Sequence, residues 1–477
     1  MLKHRIHLEP VAMEHGQTEH LHQKHRAAGK GIPVQDEDDE CYDTALTFRN
    51  GCVAKTPNVP RLMDDNISAI GTWYLAESAS VHPLDPHEDA HRLWGLALWE
   101  LAIADATLFD CVALLTLQKK RSIATAYNKV MYLDHKQKVY QGLSKALVAN
   151  RASVSGTTAL TMTLLSFVEV VEGHFDTARS HINAVAAMDF IRNLNEVQWR
   201  LIIWNDLRYA MKLVAPPTLC YYIPTFLRSS LADIDGAVLA EARRLALGNL
   251  KHLRKLPDLD EHAWFSLLVS IHTIDLIVSH PVAMSHNIHL VCAYEAEYRV
   301  HTIAANLSNK PRPDSTTRLM IIACQLHILA VTSSFAPSTV ECREILLSRA
   351  RSVIASSGRN ENVCASRTFA VPMIWALTTI CTHVIDGGFG GRRQFIEKLA
   401  ATVEMKRPHS KGIFVRLLRS WPWLDSWHQS RVAAVWEEIL VGRGRRWRCI
   451  ATQGMSDNRT TTQSRRFYAG ILMFYTS

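Results

Sequence analysis

Residues 87–91 read His-Glu-Asp-Ala-His, which is the HExxH spacing of a zinc-binding helix. In that motif two imidazoles one helical turn apart bind zinc, and the glutamate acts as general base. His87, Glu88 and His91 therefore make a zinc hydrolase one hypothesis for this chain. Because the chain has 23 histidines, the spacing also arises by chance in roughly one of twenty such chains, so the surroundings decide.

The surroundings favour an ordinary helix start over a catalytic helix. Asp85 is predicted to cap the helix, Pro86 to take its first position, and Glu88 to complete a capping box. The extended peptidase motif needs glycine and histidine further along, where this chain has Trp94 and Ala97. We therefore predict no catalytic residue, no metal site and no cofactor, and rank the zinc hydrolase last among the alternatives.

Other motifs with catalytic spacing are weaker. The glycine-rich stretch 386–395 lacks the GK[ST] ending of a phosphate-binding loop and is predicted to separate two helices. None of the ten cysteines falls in a CxxC pair, so neither a structural zinc site nor a disulfide framework is indicated. Scattered cysteines of this kind are typical of an intracellular chain.

The composition is that of a globular protein with a large core. Of the 477 residues, 48% are hydrophobic and 21% are charged, and the net charge is +8. This modest positive charge permits contact with polyanions without requiring it. The longest apolar stretch is interrupted by Glu169 and Glu172, so we predict no membrane span and no membrane partner.

Hydrophobic spacing predicts an all-α fold, a compact multi-helix bundle without strands. The stretch 91–118 carries a broad apolar stripe at helical spacing. A later helix is expected to end at Gly173, with Asp176 capping the next, and another is expected to stop at Pro216. Further helices are predicted at 235–252, 261–280, 285–307, 316–335, 340–356 and 364–386.

The chain divides into three predicted parts. Residues 1–70 are expected to be a disordered arm, 71–442 the helical domain, and 443–477 a basic tail of uncertain order. For the tail the composition favours, in decreasing order, a solvated segment, a nuclear-import signal and contact with phosphate. The arginines that would form such a patch are Arg443, Arg445, Arg446 and Arg448.

Several segments together resemble the fungal-specific transcription factor domain, the helical regulatory region of fungal zinc-cluster transcription factors. Residues 158–188 resemble its run of apolar helix, Glu, Gly, a short acidic turn, and a helix beginning with His181. Ala184 departs from the glycine usual at its position. The stretch 202–217 matches the family's W-x-D-L…A…P pattern through Trp204 and Asp206, and 367–439 resembles the closing helices.

The resemblance, which spans roughly residues 70–440, implies a nuclear regulator of transcription whose partners are transcriptional machinery or other regulators. Family members carry an N-terminal six-cysteine zinc cluster that reads DNA. Only Cys41 and Cys52 lie upstream here, and two thiolates cannot build that cluster. We therefore expect contact with DNA only indirectly, or through a segment that this chain does not include. The oligomeric state stays open.

For three residues the resemblance and elementary packing give different interpretations. His181, Trp204 and Asp206 could line an effector pocket between helices, which would suit a regulatory domain. Alternatively Trp204 is a core aromatic, Asp206 bonds a neighbouring helix end or an arginine, and His181 is satisfied by backbone; we favour this second interpretation. A helical-repeat scaffold for protein interactions is the main alternative function.

Overall fold

The structure of the chain is a computed structural model that describes most residues from 88 to 441. The described ranges are 88–120, 126–149, 154–188, 194–219, 221–224, 227–228, 234–254, 256, 259–279, 286–310, 314–332, 339–356, 369–384, 391–406, 408, 410–425 and 427–441. Within them, only the backbone is described at 88–95, 119–120, 126–128, 286–287 and 339–341. The predicted arm and the basic tail lie outside these ranges.

The described residues are overwhelmingly helical and include no strand, which confirms the predicted all-α class. We number the helices in chain order. They are α1 Glu88–Ala104, α2 Ala106–Lys120, α3 Ala126–Ala149, α4 Gly156–Val171, α5 Phe175–Ala186, α6 Glu196–Leu213, α7 Gly236–Leu253, α8 Glu261–Ser279, α9 His286–Ser308, α10 Ser315–Thr332, α11 Thr339–Ser356, α12 Ala370–His383, α13 Arg392–Lys406, α14 Lys411–Arg419 and α15 427–441.

Short polar side chains start many of these helices, because a side-chain oxygen satisfies backbone N–H groups that the first turn leaves open. Asn195 and Gln198 form a full capping box at α6. The apolar stretch predicted at 91–118 is divided by the same chemistry: Asp105 Oδ1 accepts the N–H groups of Thr107 and Leu108, so α1 ends and α2 begins there.

The junction of α4 and α5 confirms one predicted feature and corrects another. Gly173 has φ +83°, the left-handed conformation expected of a glycine after a helix end. Asp176, however, does not cap α5. The capping position is His174, which makes no side-chain capping bond, and Asp176 lies in the first turn, where its charge complements the helix dipole.

Helix α6 ends before the two prolines that were expected to stop it. Val214 adopts φ +53°, which is unusual for a β-branched residue, and the N–H of Ala215 bonds the Ala210 carbonyl. Arg349 of α11 donates to the carbonyl oxygens of Met211 and Lys212, both at 2.6 Å. A distant guanidinium therefore satisfies the open carbonyls at this helix end.

The core is organised around α10. Every residue of this helix is buried except Ser315 and Arg318, which are half-buried, and helices α8, α9, α11 and α12 pack around it. One continuous hydrophobic cluster extends from α1 to α15 among the described residues. A helix that is apolar on all sides can be stable only when neighbours cover every face.

Packing between helices distant in sequence distinguishes this body from a repeat array. Helix α6 contacts α9 and α11, and α12 contacts α7 and α10. In a solenoid each repeat contacts only its neighbours. The described helices therefore form a bundle, and the regular stack expected of a helical-repeat scaffold is not their arrangement.

Two described helices, α8 and α10, are long and apolar enough to cross a membrane by length and composition. Buried core helices pass the same test. In α10 the most apolar window is 89% buried within the bundle, and in α8 it is 56% buried. Their apolar character is therefore accounted for by packing.

Residues 420–428 connect α14 to α15 and are fastened to three helices. Asn249 of α7 donates to the Ser420 carbonyl at 2.6 Å, and Trp375 of α12 donates to the Pro422 carbonyl at 2.8 Å. Asp275 of α8 accepts the Trp423 N–H at 3.0 Å. The closing segment is therefore held by directional bonds in addition to the buried ring of Trp421.

Histidines lie around the hydrogen bonds that hold this closing segment, and their rings are buried in the neutral form. Burial lowers the pKa of His272 to about 4 and that of His428 to about 3, and holds that of His383 well below its usual range. His272 donates from Nε2 to Asn249 Oδ1 at 2.7 Å. Protonation of these rings would place charges in the core, so acid should destabilise the fold.

We predict that His272→Gln reduces the acid sensitivity of the fold. In the wild type the unfolded state takes up a proton near pH 6.5, whereas folded His272 resists protonation until about pH 4. Its stabilising contribution is therefore complete above pH 6.5 and is lost as the pH falls toward 4. Across that window the wild type should lose up to about 1.4 kcal/mol per pH unit more than the variant.

Urea unfolding at a series of pH values measures this difference. Glutamine retains an N–H donor for Asn249, so the two proteins should have similar free energies of unfolding at pH 7. Parallel pH profiles for the two proteins would contradict a buried neutral imidazole at position 272.

Candidate functional site

The residues of the HExxH hypothesis have no described side-chain geometry. His87 lies outside the described residues, and only the backbone is described at Glu88 and His91, within the first turn of α1. The four tail arginines at 443–448 and the first half of the glycine-rich stretch, 386–390, also lie outside. The predicted absence of a zinc site and the possible phosphate contact by the tail therefore stay predictions.

His181 lies on α5 beside Tyr140 of α3, with ring centroids 5.9 Å apart. Its Nε2 is 3.5 Å from the Tyr140 hydroxyl, and burial lowers the pKa of the imidazole. The ring is half-buried at a helix interface. This position is that of a packing residue with one weak polar contact.

Trp204 and Asp206 lie on α6, and both are 2% exposed. The Arg208 guanidinium lies 5.8 Å from the Trp204 ring centroid, within the range of a cation–π contact. Asp206 accepts the N–H groups of Thr218 and Leu219 at 3.1 and 3.0 Å. The carboxylate thus holds the chain just after the prolines, so its partners are N–H groups of the non-helical connection and not the helix end or arginine that the packing interpretation expected.

The Asp206 carboxyl group is also electrostatically unusual. Burial raises its pKa to about 6, although the bonds from Thr218 and Leu219 oppose the shift. Neither of the two clefts described below is lined by His181, Trp204 or Asp206. Neither cleft therefore supports the effector-pocket interpretation for these three residues.

A network of charged side chains joins α3, α4 and α5. Lys136 Nζ lies 2.7 Å from Glu169 and 2.5 Å from Glu172. Glu169, whose side chain is 2% exposed, also accepts bonds from Tyr140 at 2.8 Å and from His174 Nδ1 at 2.8 Å. Burial would raise the pKa of Glu169, but these partners lower it and keep the carboxylate ionised.

Glu169, Glu172 and His174 are also close enough to offer ligand atoms to one metal ion. The Lys136 ammonium, however, already lies between the two carboxylates and neutralises part of their charge. A divalent ion would have to displace this half-buried cation. The group is therefore best described as an ion-pair network that fastens α3 to α4 and α5.

A buried ion pair links α6 to α9. Arg208 Nη1 lies 3.2 Å from Glu297, and both side chains are less than 5% exposed. Next to this ion pair lies a narrow gap in the packing, and its lining includes Arg208, Glu297, His301 and Gln325. Three buried nitrogens there, Arg208 Nε, Arg208 Nη2 and His301 Nε2, have no hydrogen-bond partner. A buried donor without a partner costs free energy, because the hydrogen bond that it made to water in the unfolded chain is lost.

An open cleft of about 270 Å³ lies along one face of α9. Its aromatic walls come from two places in the chain: Tyr298 on α9 and Tyr221 in the connection between α6 and α7. The rings of Tyr221 and Tyr298 are 5.3 Å apart at 59°. The full lining comprises Tyr221, Ala263, Tyr298, Arg299, Thr302, Ile303 and Asn306.

The cleft is fastened to the core by stacked aromatic rings. Tyr221 stacks on Tyr294 with centroids 5.4 Å apart and planes at 7°, and Tyr294 in turn meets Trp199 of α6 edge-on at 5.2 Å. The backbone N–H of Tyr222 donates to the Tyr294 hydroxyl at 3.4 Å. Tyr221 is therefore held in place although it is 40% exposed.

Sequence reasoning missed this cleft, because one wall comes from a connection with no periodic pattern. Two signals were present. Tyr294 and Tyr298 are four residues apart and so share a helix face, and Tyr221 and Tyr222 follow the paired prolines in a non-helical segment. Neither signal alone shows that the connection returns to α9.

Comparisons with known proteins add no relative: no family model, no curated protein and no solved structure matches the chain.

We predict that Asp206→Ala destabilises the protein by about 2–4 kcal/mol, since two buried or half-buried N–H groups would lose their acceptor. The matched control is Asp235→Ala, which removes an exposed acceptor for the Ala237 N–H and should cost about 1 kcal/mol. Chemical denaturation measures both changes. An equal loss in the two variants would contradict the structural role of Asp206.

We predict that Lys136→Met destabilises the protein by about 3 kcal/mol or more, because the Glu169 and Glu172 carboxyl groups would lie close together without their shared cation. Lys138→Met is the control on the same helix. Its pair with Asp134 is exposed, and the change should be below about 1 kcal/mol. If both lysines were equally dispensable, the network would not fasten α3.

Proposed function

We propose that this chain is a helical regulatory domain of a transcription regulator, and that it acts by binding an effector or partner rather than by catalysis. The observation that carries the proposal is the aromatic cleft on α9, an open, preformed cavity next to the core of a bundle. Clefts with aromatic walls and a few polar groups are the usual form of small-molecule sites.

The resemblance to the fungal-specific transcription factor domain supports the transcriptional half of the proposal. The segments that carry it fall on α4 to α6 and on α12 to α15, which belong to one hydrophobic core. The W-x-D-L…P pattern has a physical reason here, since Asp206 holds the turn that follows the prolines.

The proposed mechanism is a shift in the packing of the α6–α7 connection. Tyr221 of this connection lines the cleft, and Asp206 bonds the beginning of the connection to α6. Arg349 of α11 holds the end of α6 just before it. A ligand that contacts both Tyr221 and α9 would favour one arrangement of the connection over others. That arrangement would be transmitted to α6 through Tyr294 and Trp199.

Protein partners would bind a different surface of the bundle, on α3. Helix α3 carries apolar side chains that are exposed in the described bundle: Val130 is 68% exposed, Leu133 55% and Val148 67%. Their spacing places them along the outward side of the helix. We propose this side of α3 as the contact for transcriptional machinery or other regulators, in keeping with the expected partners.

We predict nuclear localisation and altered transcription on loss of the protein. A tagged full-length chain should be found in the nucleus, and its deletion should change transcript levels. A tagged copy seen only in the cytosol under all conditions, together with an unchanged transcriptome on deletion, would refute the proposal.

The tail arginines give a second measurement. Replacing Arg443, Arg445, Arg446 and Arg448 by alanine should increase the cytosolic fraction if they form an import signal. The matched control replaces Arg459, Arg465 and Arg466, which lie in the same tail. An unchanged distribution in the first variant would show that import depends on other residues.

A further inference from the structure

We propose that the cleft on α9 binds an uncharged, planar aromatic molecule of one or two fused rings that carries a hydroxyl or carbonyl group. This inference rests on the proposed function, because it names the class of effector for the same cleft. Aromatic geometry, charge and size each restrict the ligand.

The walls favour a flat ring. Tyr221 and Tyr298 are set at 59° to each other, so a ring that lies parallel to one meets the other by its edge. Stacked and edge-to-face contacts are the two favourable arrangements of aromatic rings. Tyr221 already shows this preference, since its ring stacks on Tyr294.

The charge of the cleft favours a neutral ligand. Its one cationic side chain, Arg299, is paired with Glu295 of the same helix, with Nη2 and Oε1 2.6 Å apart. An anionic ligand would have to compete with Glu295 for the guanidinium, and a cationic one would meet the guanidinium itself. Neither an anionic nor a cationic ligand gains a favourable charge contact, because Arg299 and Glu295 already neutralise each other.

The volume of the cleft restricts the size of the ligand. The cleft volume of about 270 Å³ is slightly below the usual range of small-molecule pockets, which suits a ligand of one or two fused rings. Asn306, an exposed residue at the next turns of the α9 face, offers both an N–H donor and a carbonyl acceptor. A hydroxyl or carbonyl group on the ring would find its partner there.

The test uses the purified full-length protein and β-naphthol as the probe, which is planar, bicyclic and uncharged at neutral pH. Isothermal titration should detect saturable binding. Binding should be at least about tenfold weaker for β-naphthoate, which is charged, and for decahydro-β-naphthol, which is not planar. Equal binding of all three probes, or tighter binding of the naphthoate, would overturn the proposed ligand class.

Variants locate the site. Tyr221→Leu and Tyr298→Leu keep apolar volume but remove the rings, and each should weaken binding of β-naphthol by roughly tenfold. Tyr222→Leu changes the adjacent residue, which does not line the cleft, and should bind as the wild type does. Thermal unfolding shows whether each variant is folded, and a folded Tyr221→Leu with wild-type affinity would overturn the proposal.

These binding data are independent of transcription. Absence of β-naphthol binding in a protein that is nuclear and changes transcript levels would overturn only the ligand class. Binding in a protein without any effect on transcription would leave the cleft as an aromatic site and overturn the proposed function.

Discussion

The constraint on which the structure depends is the burial of α10 on all sides. Buried polar side chains cannot reach water, and several of those on α10 bond partners on surrounding helices. His327 bonds Asp275 of α8 at 2.8 Å, and Thr332 bonds Glu297 of α9 at 3.2 Å. The apolar contacts hold α10 in the core, and these bonds fix which face of it meets which neighbour.

The same bonds connect the core to the cleft. Glu297 of α9 accepts a hydrogen bond from Thr332 of α10 and forms an ion pair with Arg208 of α6, so three helices meet at one carboxylate. Tyr298, the next residue on α9, lies in the lining of the cleft. Helix α9 therefore presents one face to the core and another to the cleft. A change in the cleft has a short physical route to α6.

Sequence patterns predicted the helices well because burial imposes helical spacing on apolar residues, and the later helices lie within a few residues of their predicted bounds. Local chemistry was harder to predict. The break at Asp105 depends on one side chain capping a new helix, and Asp176 lies in the first turn instead of at the cap. The cleft could not be predicted at all, since it depends on where a non-helical connection places Tyr221.

We propose that this bundle regulates transcription through the cleft on α9. The most direct measurement fuses the full-length chain to an unrelated sequence-specific DNA-binding domain and follows a reporter gene that carries its site. We expect the fusion to change reporter transcription relative to the DNA-binding domain alone. Combined replacement of Tyr221 and Tyr298 by leucine should alter that response at equal protein level. A reporter that responds identically to all three proteins would contradict the account.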